Sequence, residues 1–171
     1  MYWILQPSGL AQCVVDKRIF KTVSQLKPPV VFCSLCLLGV DCRYDGKNQY
    51  TEKLDSLIPS GASVVGFCPE VLGGLSVPRP PCEIQSSDPW KIITIDGEDQ
   101  TVYFQDGSEI VVTALKTLDR VDLLVLKEKS PSCGSSFVYS GKFDGTLIEG
   151  HGILLSLIES SGVHIERVIA I

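Results

Sequence analysis

Three short apolar runs rich in Val and Leu limit the folds open to this chain more than any other feature. They are PVVFCSL, ASVVGFCPE and DLLVLKE, and each runs directly into a loop. Runs of this length and composition are typical of strands that are buried on both faces of a sheet. A fourth run, VHIERVIAI, ends the chain and predicts a last strand.

Segments with helical character separate these runs. NQYTEKLDSLIPSG has apolar residues at helical spacing and stops at Pro59 and Gly61. EIVVTALKTLDRV and GHGILLSLIESSG also predict helices, whereas KIITIDGEDQTVYF predicts either two strands around a turn or a strand and the start of a helix. This alternation indicates a single α/β domain, a mainly parallel open sheet with flanking helices in a Rossmann-like arrangement. We place the domain at residues 29–171 and interpret residues 1–28, which lack a clear period, as an N-terminal arm of unknown role.

Cysteines stand where the predicted strands end. We place Cys33 and Cys36 after the first strand, Cys68 at the end of the second, and Cys133 after the third. Because ligands of open α/β sheets bind beyond the carboxyl ends of the strands, we expect these four sulfurs to meet at one edge. Widely spaced single cysteines suit an iron–sulfur cluster in which the whole scaffold, rather than one local loop, sets the geometry.

The composition is that of a soluble globular enzyme, with 44% hydrophobic and 20% charged residues. A formal net charge of -5 argues against binding of polymeric nucleic acid, which needs clustered Lys and Arg. No apolar run approaches the roughly 18 residues of a membrane span, and the N-terminus lacks the early basic residue of a signal peptide. We therefore expect a cytoplasmic protein with reduced cysteines that serve metal binding or catalysis. Cys13 and Cys82 lack a partner motif, and we interpret them as small hydrophobic residues.

Polar residues beside the cysteines are candidates for catalysis. Glu70 lies two residues after Cys68, so a catalytic carboxylate competes with the interpretation of a solvated loop residue. Ser130 and Ser132 lie beside Cys133. Serines in such loops most often form turns, but these two could also orient a substrate or pass protons.

Four motifs, taken in order, resemble the thiouracil desulfurase (TudS-like) family over about residues 29 to 167. They are CLLGVDCRYDG, FCPEVLGGLSVPRPPCEI, LKEKSPSCGSS and KFDGTLIEGHGILLSLIESSGVHI. The resemblance implies a 4Fe–4S cluster held by three cysteines, with one iron open to the sulfur of a thiolated nucleobase. It also implies that this sulfur leaves as sulfide without net redox change. The expected partner is therefore a small-molecule thiolated nucleobase such as 2-thiouracil.

The family motifs also imply roles for individual residues. The implied cluster ligands are Cys36, Cys68 and Cys133. The implied acid–base and orienting set is Cys42, Glu70 and Ser130. Ser132 and Arg43 are expected to help bind the substrate, and Arg43 is expected to brace its own loop rather than react.

Two alternatives stay open at this point. A thiol redox protein would use Cys33 and Cys36. The presence of Cys33 shortly before the first motif also leaves open which of these two cysteines would bind iron. A non-catalytic domain would hold a structural zinc with four cysteines and have no open coordination site.

Overall fold

The computed structural model describes residues 28–171 and the main chain of residues 2–5 and 11–14. Its sheet has six strands, in the spatial order β10 (Val168–Ala170), β7 (Leu123–Leu126), β3 (Val30–Ser34), β4 (Ser63–Phe67), β1 (Tyr2–Leu5) and β2 (Ala11–Val14). The first four strands in this order are parallel, and β1 pairs antiparallel with both β4 and β2. The predicted α/β domain with a mainly parallel sheet is confirmed.

Two strands of the predicted N-terminal arm extend the sheet beyond β4. The rest of that arm, and the side chain of Cys13, lie outside the described residues. The domain boundary at residue 28 stays a prediction.

Helices and two hairpins complete the described part of the chain. The helical segments are a 3-10 helix (Leu35–Leu38), α1 (Lys53–Leu57), α2 (Pro69–Leu72), α3 (Thr101–Lys116) and α4 (Ile153–Ser161). The antiparallel hairpins are β5 (Cys82–Ser87) with β6 (Trp90–Thr94), and β8 (Phe137–Tyr139) with β9 (Leu147–Glu149). Among the described helices, none has the length and apolar character needed to cross a membrane.

The central strand β3 shows why its sequence is an unbroken apolar run. All five of its residues are buried. Val30 and Phe32 pack against α3 and α4 on one face of the sheet. Val31 and Cys33 face the other side, where the 3-10 helix and α1 lie. A strand covered on both faces has no solvent-facing position at which a polar residue would be favoured.

The first predicted helix is shorter than its periodicity suggests. Only Lys53–Leu57 is helical, and Leu54 is its one buried residue. Before it, the side chain of Asn48 accepts the N–H of Tyr50 in a turn. Tyr50 remains exposed rather than facing the core. A local side-chain bond to the main chain therefore replaces the first helical turn.

The helix predicted from Glu109 begins earlier, at Thr101. The carboxylate of Asp99 accepts the N–H of Thr101 and so satisfies a donor that the helix start leaves unpaired. KIITIDGEDQTVYF thus contains β6, a turn through Asp96 and Gly97, and the beginning of α3. This is the second of its two predicted alternatives, a strand followed by a helix start.

Candidate active site

The ends of three neighbouring parallel strands bring three cysteines to one edge of the sheet. Cys36 lies in the 3-10 helix after β3, which ends at Gly39 with a left-handed φ of 87°. Cys68 follows β4 and precedes α2, with Pro69 at the first helical position, where a missing N–H costs little. Cys133 lies in the loop after β7. All three line one cavity of about 510 Å³.

Cys33 behaves differently from its neighbour Cys36. It lies inside β3, is completely buried, and its thiol is 3.6 Å from the main-chain oxygen of Ser34. Burial raises the pKa of the Cys33 thiol. The described lining of the cavity includes Cys36 but not Cys33. Of the four sulfurs expected to meet at this edge, three do so, and Cys33 is a core residue because the strand runs one position past it.

Cys42 is a fourth cysteine that lines this cavity beside Cys36, Cys68 and Cys133. Its thiol is hydrogen-bonded to those of Cys36 and Cys68. The bond from Cys42, together with the charges of Arg43 and Lys127, lowers the pKa of the Cys36 thiol despite its burial. The bonds to Cys36 and Cys68, and burial, raise the pKa of Cys42. The pKa is therefore lowered for one thiol of the first motif, Cys36, and raised for the other, Cys42.

Glu70 projects from the first turn of α2 and is held at both carboxylate oxygens. Oε1 accepts a bond of 2.8 Å from the hydroxyl of Ser132, and Oε2 accepts bonds of 2.6 and 3.0 Å from Nη2 and Nε of Arg79. The hydroxyl oxygens of Ser130 and Ser132 are 2.9 Å apart. Since Ser132 gives its single proton to Glu70, Ser130 is the donor to Ser132. The result is a directed chain from Ser130 through Ser132 to the carboxylate.

Glu128 shapes the loop that carries Cys133. Its carboxylate accepts main-chain N–H groups from Ser135, Ser136 and Phe137 at 3.1, 2.9 and 2.6 Å. Burial alone would raise the pKa of Glu128, but these bonds outweigh it and hold the pKa below its usual value. An ionised carboxylate therefore fixes the turn that leads out of the Cys133 loop.

Every residue predicted for the site lines this cavity. They are Cys36, Cys42, Arg43, Cys68, Glu70, Ser130, Ser132 and Cys133. Their individual roles stay predictions. Arg43 forms an ion pair of 3.2 Å with Asp45 and lies 5.3 Å from the ring centre of Tyr44, as a residue that braces its loop would. The hydroxyl of Ser132, expected near the substrate, is bonded to Glu70.

Arg79, Cys82 and Glu83 also line the cavity, and sequence reasoning missed them. Cys82 was expected to be an isolated small hydrophobic residue. Burial, and to a smaller extent the nearby charge of Glu70, raises the pKa of its thiol to about 12. Glu83 is buried in β5 and accepts the N–H of Phe143 at 3.0 Å. No periodic pattern in VPRPPCE marks these residues, which reach the cavity only because their loop folds back towards α2.

The donor set fits a metal cluster. Its three thiols come from three separate strand ends, and two nearby cations favour the thiolate form of Cys36. Within residues 28–171, no group of three or more Cys, His, Asp and Glu side chains is close enough together for a single metal ion. Cysteines around a four-iron cluster stand farther apart, because each binds a different iron. Fold and site together define a class of α/β proteins with a thiol-lined polar cavity at the carboxyl edge of a parallel sheet.

Comparisons with known proteins place the chain within this class. The family model described as 2-thiouracil desulfurase matches residues 31–167. The solved structure of a 4Fe–4S-dependent thiouracil desulfidase, TudS, has a TM-score of 0.71 and 36% identity, covering 84% of this chain and 91% of that one. An uncharacterized protein of Bacillus subtilis (strain 168), YbbK, is 36% identical over 143 residues, 80% of this chain and 93% of that protein. The chain belongs to the 2-thiouracil desulfurase family.

Proposed function

We propose that this protein hydrolyses the C=S bond of a thiolated nucleobase such as 2-thiouracil with the help of a 4Fe–4S cluster. Water supplies the oxygen that replaces sulfur, and the sulfur leaves as sulfide, so the reaction needs no electron donor. The observation that carries the proposal is the meeting of three strand-end cysteines with Glu70 in one cavity. Membership of the family and the likeness to TudS support the same cofactor and substrate class.

Cys36, Cys68 and Cys133 are the proposed cluster ligands. Cys33 is not among them, because it does not line the cavity. Cys36 has a lowered pKa, which favours the thiolate that binds iron. Burial raises the pKa of Cys133, so iron binding must offset the cost of removing its proton. When bound, the cluster supplies a thiophilic Lewis acid for the substrate sulfur.

Glu70 is the proposed general base. A carboxylate can take a proton from an attacking water that lies within hydrogen-bond reach, and two fixed partners limit its orientation. The raised pKa of Cys42 favours its protonated thiol, which is the proposed hydrogen-bond donor to the substrate as charge shifts. We place Ser130, Ser132 and Arg43 as orienting groups, with the serines acting through the chain that ends on Glu70. The cytoplasmic location expected from the sequence belongs to this proposal, because a reducing compartment keeps these thiols free.

The experiment is anaerobic purification and cluster reconstitution, followed by incubation with 2-thiouracil in the absence of an electron donor. We expect roughly four irons per chain and broad visible absorbance. Uracil and sulfide should form in equal amounts. The same protein without reconstitution is the control and should be inactive. Stoichiometric zinc without iron, or sulfide release only with an added reductant, would contradict the proposal.

A further inference from the structure

Arg79 lies in the loop between α2 and β5, and its side chain is only 5% exposed. Nη2 and Nε donate to Oε2 of Glu70 at 2.6 and 3.0 Å. Nη1 and Nη2 both donate to the main-chain oxygen of Cys42 at 3.2 Å. Nη1 also donates to the main-chain oxygen of Ser76, and the main-chain N–H of Arg79 donates to the oxygen of Tyr44. Every nitrogen of this guanidinium thus has a protein acceptor.

These contacts join two parts of the chain that are separate in sequence. Glu70 belongs to α2, whereas Cys42 belongs to the loop that follows the 3-10 helix. Building on the function proposed above, we propose that Arg79 is a positioning residue. It fixes the position of the Glu70 carboxylate relative to the loop that carries the Cys42 thiol. Its role is to hold these two groups in place, and it takes no proton and binds no substrate itself.

These contacts require the planar guanidinium of arginine, with its several N–H donors, rather than a single charged nitrogen. Arginine presents five donors in fixed directions, so one side can meet the carboxylate while the other meets the Cys42 carbonyl. A lysine has one nitrogen and can reach only one of the two partners at full strength. Burial strengthens the argument, because a buried charge is tolerated only when it is paired and hydrogen-bonded.

The guanidinium of Arg79 supplies the shortest long-range hydrogen bonds to the main-chain oxygen of Cys42. The Cys68 thiol also approaches this oxygen, at 3.9 Å, and the bonds from Cys42 N–H to Val40 and from Arg43 N–H to Lys47 are local. Cys42 is only 4% exposed, although Val40 beside it is an exposed residue. Without the Arg79 side chain, the hydrogen bonds that connect the Cys42 oxygen to the Glu70 carboxylate through the guanidinium are lost. We then expect the Cys42 thiol to become more accessible.

The first test compares Arg79→Gln, Arg79→Lys and Arg167→Gln as cluster-loaded full chains. Arg167 is exposed at the opposite edge of the sheet and serves as the matched control. We expect normal iron content in all three, a fall in kcat of about 10²-fold for Arg79→Gln with little change in KM, and partial recovery in Arg79→Lys. Near-normal kcat in Arg79→Gln, or loss of iron in both Arg79 variants, would overturn the proposal.

A double variant shows whether Arg79 acts through Glu70. Residues that work as one unit have non-additive effects on rate. Glu70→Gln combined with Arg79→Gln should therefore lose no more kcat than the worse single variant. Losses that multiply would mean that Arg79 acts independently of Glu70, which contradicts the positioning role.

The third measurement needs no turnover. Cluster-loaded wild type and Arg79→Gln are treated with iodoacetamide, and the alkylation of each cysteine is followed by peptide mass spectrometry. We expect faster alkylation of Cys42 and unchanged protection of Cys33, which is fully buried in β3. Equal acceleration at both cysteines would indicate general unfolding and overturn the proposal. If the loaded wild type releases no sulfide, the proposed function fails, while this comparison still decides whether Arg79 holds the Cys42 loop.

Discussion

The hydroxyl of Ser132 donates a hydrogen bond of 2.8 Å to Oε1 of Glu70, although the two residues lie 62 positions apart in the chain. Ser132 is 1% exposed, so water does not compete freely for this bond. It connects the Cys133 loop to α2, which begins directly after Cys68. The proposed base is therefore linked directly to the segments that carry two of the proposed ligands, Cys68 and Cys133.

Glu70→Gln should separate cluster binding from chemistry. The amide keeps the shape of the side chain and can still accept from Arg79 or Ser132, but it does not take a proton at neutral pH. We expect unchanged iron content and visible absorbance, with kcat lower by about 10²–10⁴-fold, the usual contribution of a general base. Iron analysis and sulfide release measure the two effects. Loss of iron would make Glu70 a structural or ligating group instead.

Ser132→Ala should disturb the position of the same base without removing it. Alanine leaves Oε1 of Glu70 without its donor and breaks the chain from Ser130. Partners of this kind typically contribute about 10–100-fold, so we expect a drop in kcat of that size with the cluster retained. Ser136→Ala is the matched control, because Ser136 is exposed and donates its main-chain N–H, which alanine keeps. Equal activity of the two variants would show that the Ser132 hydroxyl is dispensable.

The ligand assignment predicts a sharp contrast between two cysteines in one motif. Cys36→Ala, Cys68→Ala and Cys133→Ala should each lose the cluster after anaerobic reconstitution. Cys33→Ala should keep it, because the cavity lining includes Cys36 but not Cys33. Iron per chain and visible absorbance distinguish the variants. Iron loss in Cys33→Ala with retention in Cys36→Ala would reverse the assignment.

The sequence predicted the parts of the site that depend on strands. Cys36, Cys68 and Cys133 could be placed at one edge because each follows an apolar run, and parallel strands end on the same side. Cys33 was misplaced because it was counted after the strand, whereas β3 continues to Ser34. Counting alternate residues from Val31 puts Cys33 on the same core face, which the structure bears out.

Other features of the site could not be predicted in this way. Arg79 contacts Glu70 and Cys42 from a proline-rich loop, whose path follows no period of two or 3.6 residues. Cys82 reaches the cavity by the same loop. Such contacts depend on the path that a non-periodic loop takes over the rest of the fold. Local sequence patterns do not predict that path.

Glu128→Gln should lower stability in a pH-dependent way. The pKa of Glu128 is held below its ordinary value of 4.5. Its stabilising contribution is therefore present above that value and is lost as pH falls through the lower folded-state pKa. At neutral pH we expect a loss of about 1–3 kcal/mol in the free energy of unfolding, because several main-chain donors lose a charged acceptor.

Urea titrations at neutral and strongly acidic pH measure this difference. The difference in the free energy of unfolding between wild type and Glu128→Gln should shrink on acidification, since the wild-type carboxyl is then also neutral. Glu159→Gln is the control, because Glu159 is exposed on α4 and should show no comparable gap. A gap that stays constant with pH would mean that the charge of Glu128 does not stabilise the loop.

Gly107→Ala tests the close approach of α2 to α3. A Cβ on Gly107 would overlap the main-chain oxygen of Pro69, and one on Gly73 would overlap the main-chain oxygen of Tyr103. Alanine usually stabilises a helix interior relative to glycine by about 1 kcal/mol, but here the obstacle is backbone and cannot rotate away. We expect α2 to be pushed aside, carrying Glu70 with it. Overpacking of this kind costs about 1–3 kcal/mol in the free energy of unfolding, and reduced cluster loading should accompany it.

Glu109→Ala in the same helix gives the matched comparison for Gly107→Ala. Glu109 is exposed, so this change alters helix propensity without adding a contact between α2 and α3. Its free energy of unfolding should stay within about 0.5 kcal/mol of wild type, and its iron content should be normal. Urea titration and iron analysis of the two variants decide the matter. If Gly107→Ala is as stable and as fully loaded as Glu109→Ala, then α2 can shift without disturbing the site, and the close packing of the two helices does not position Glu70.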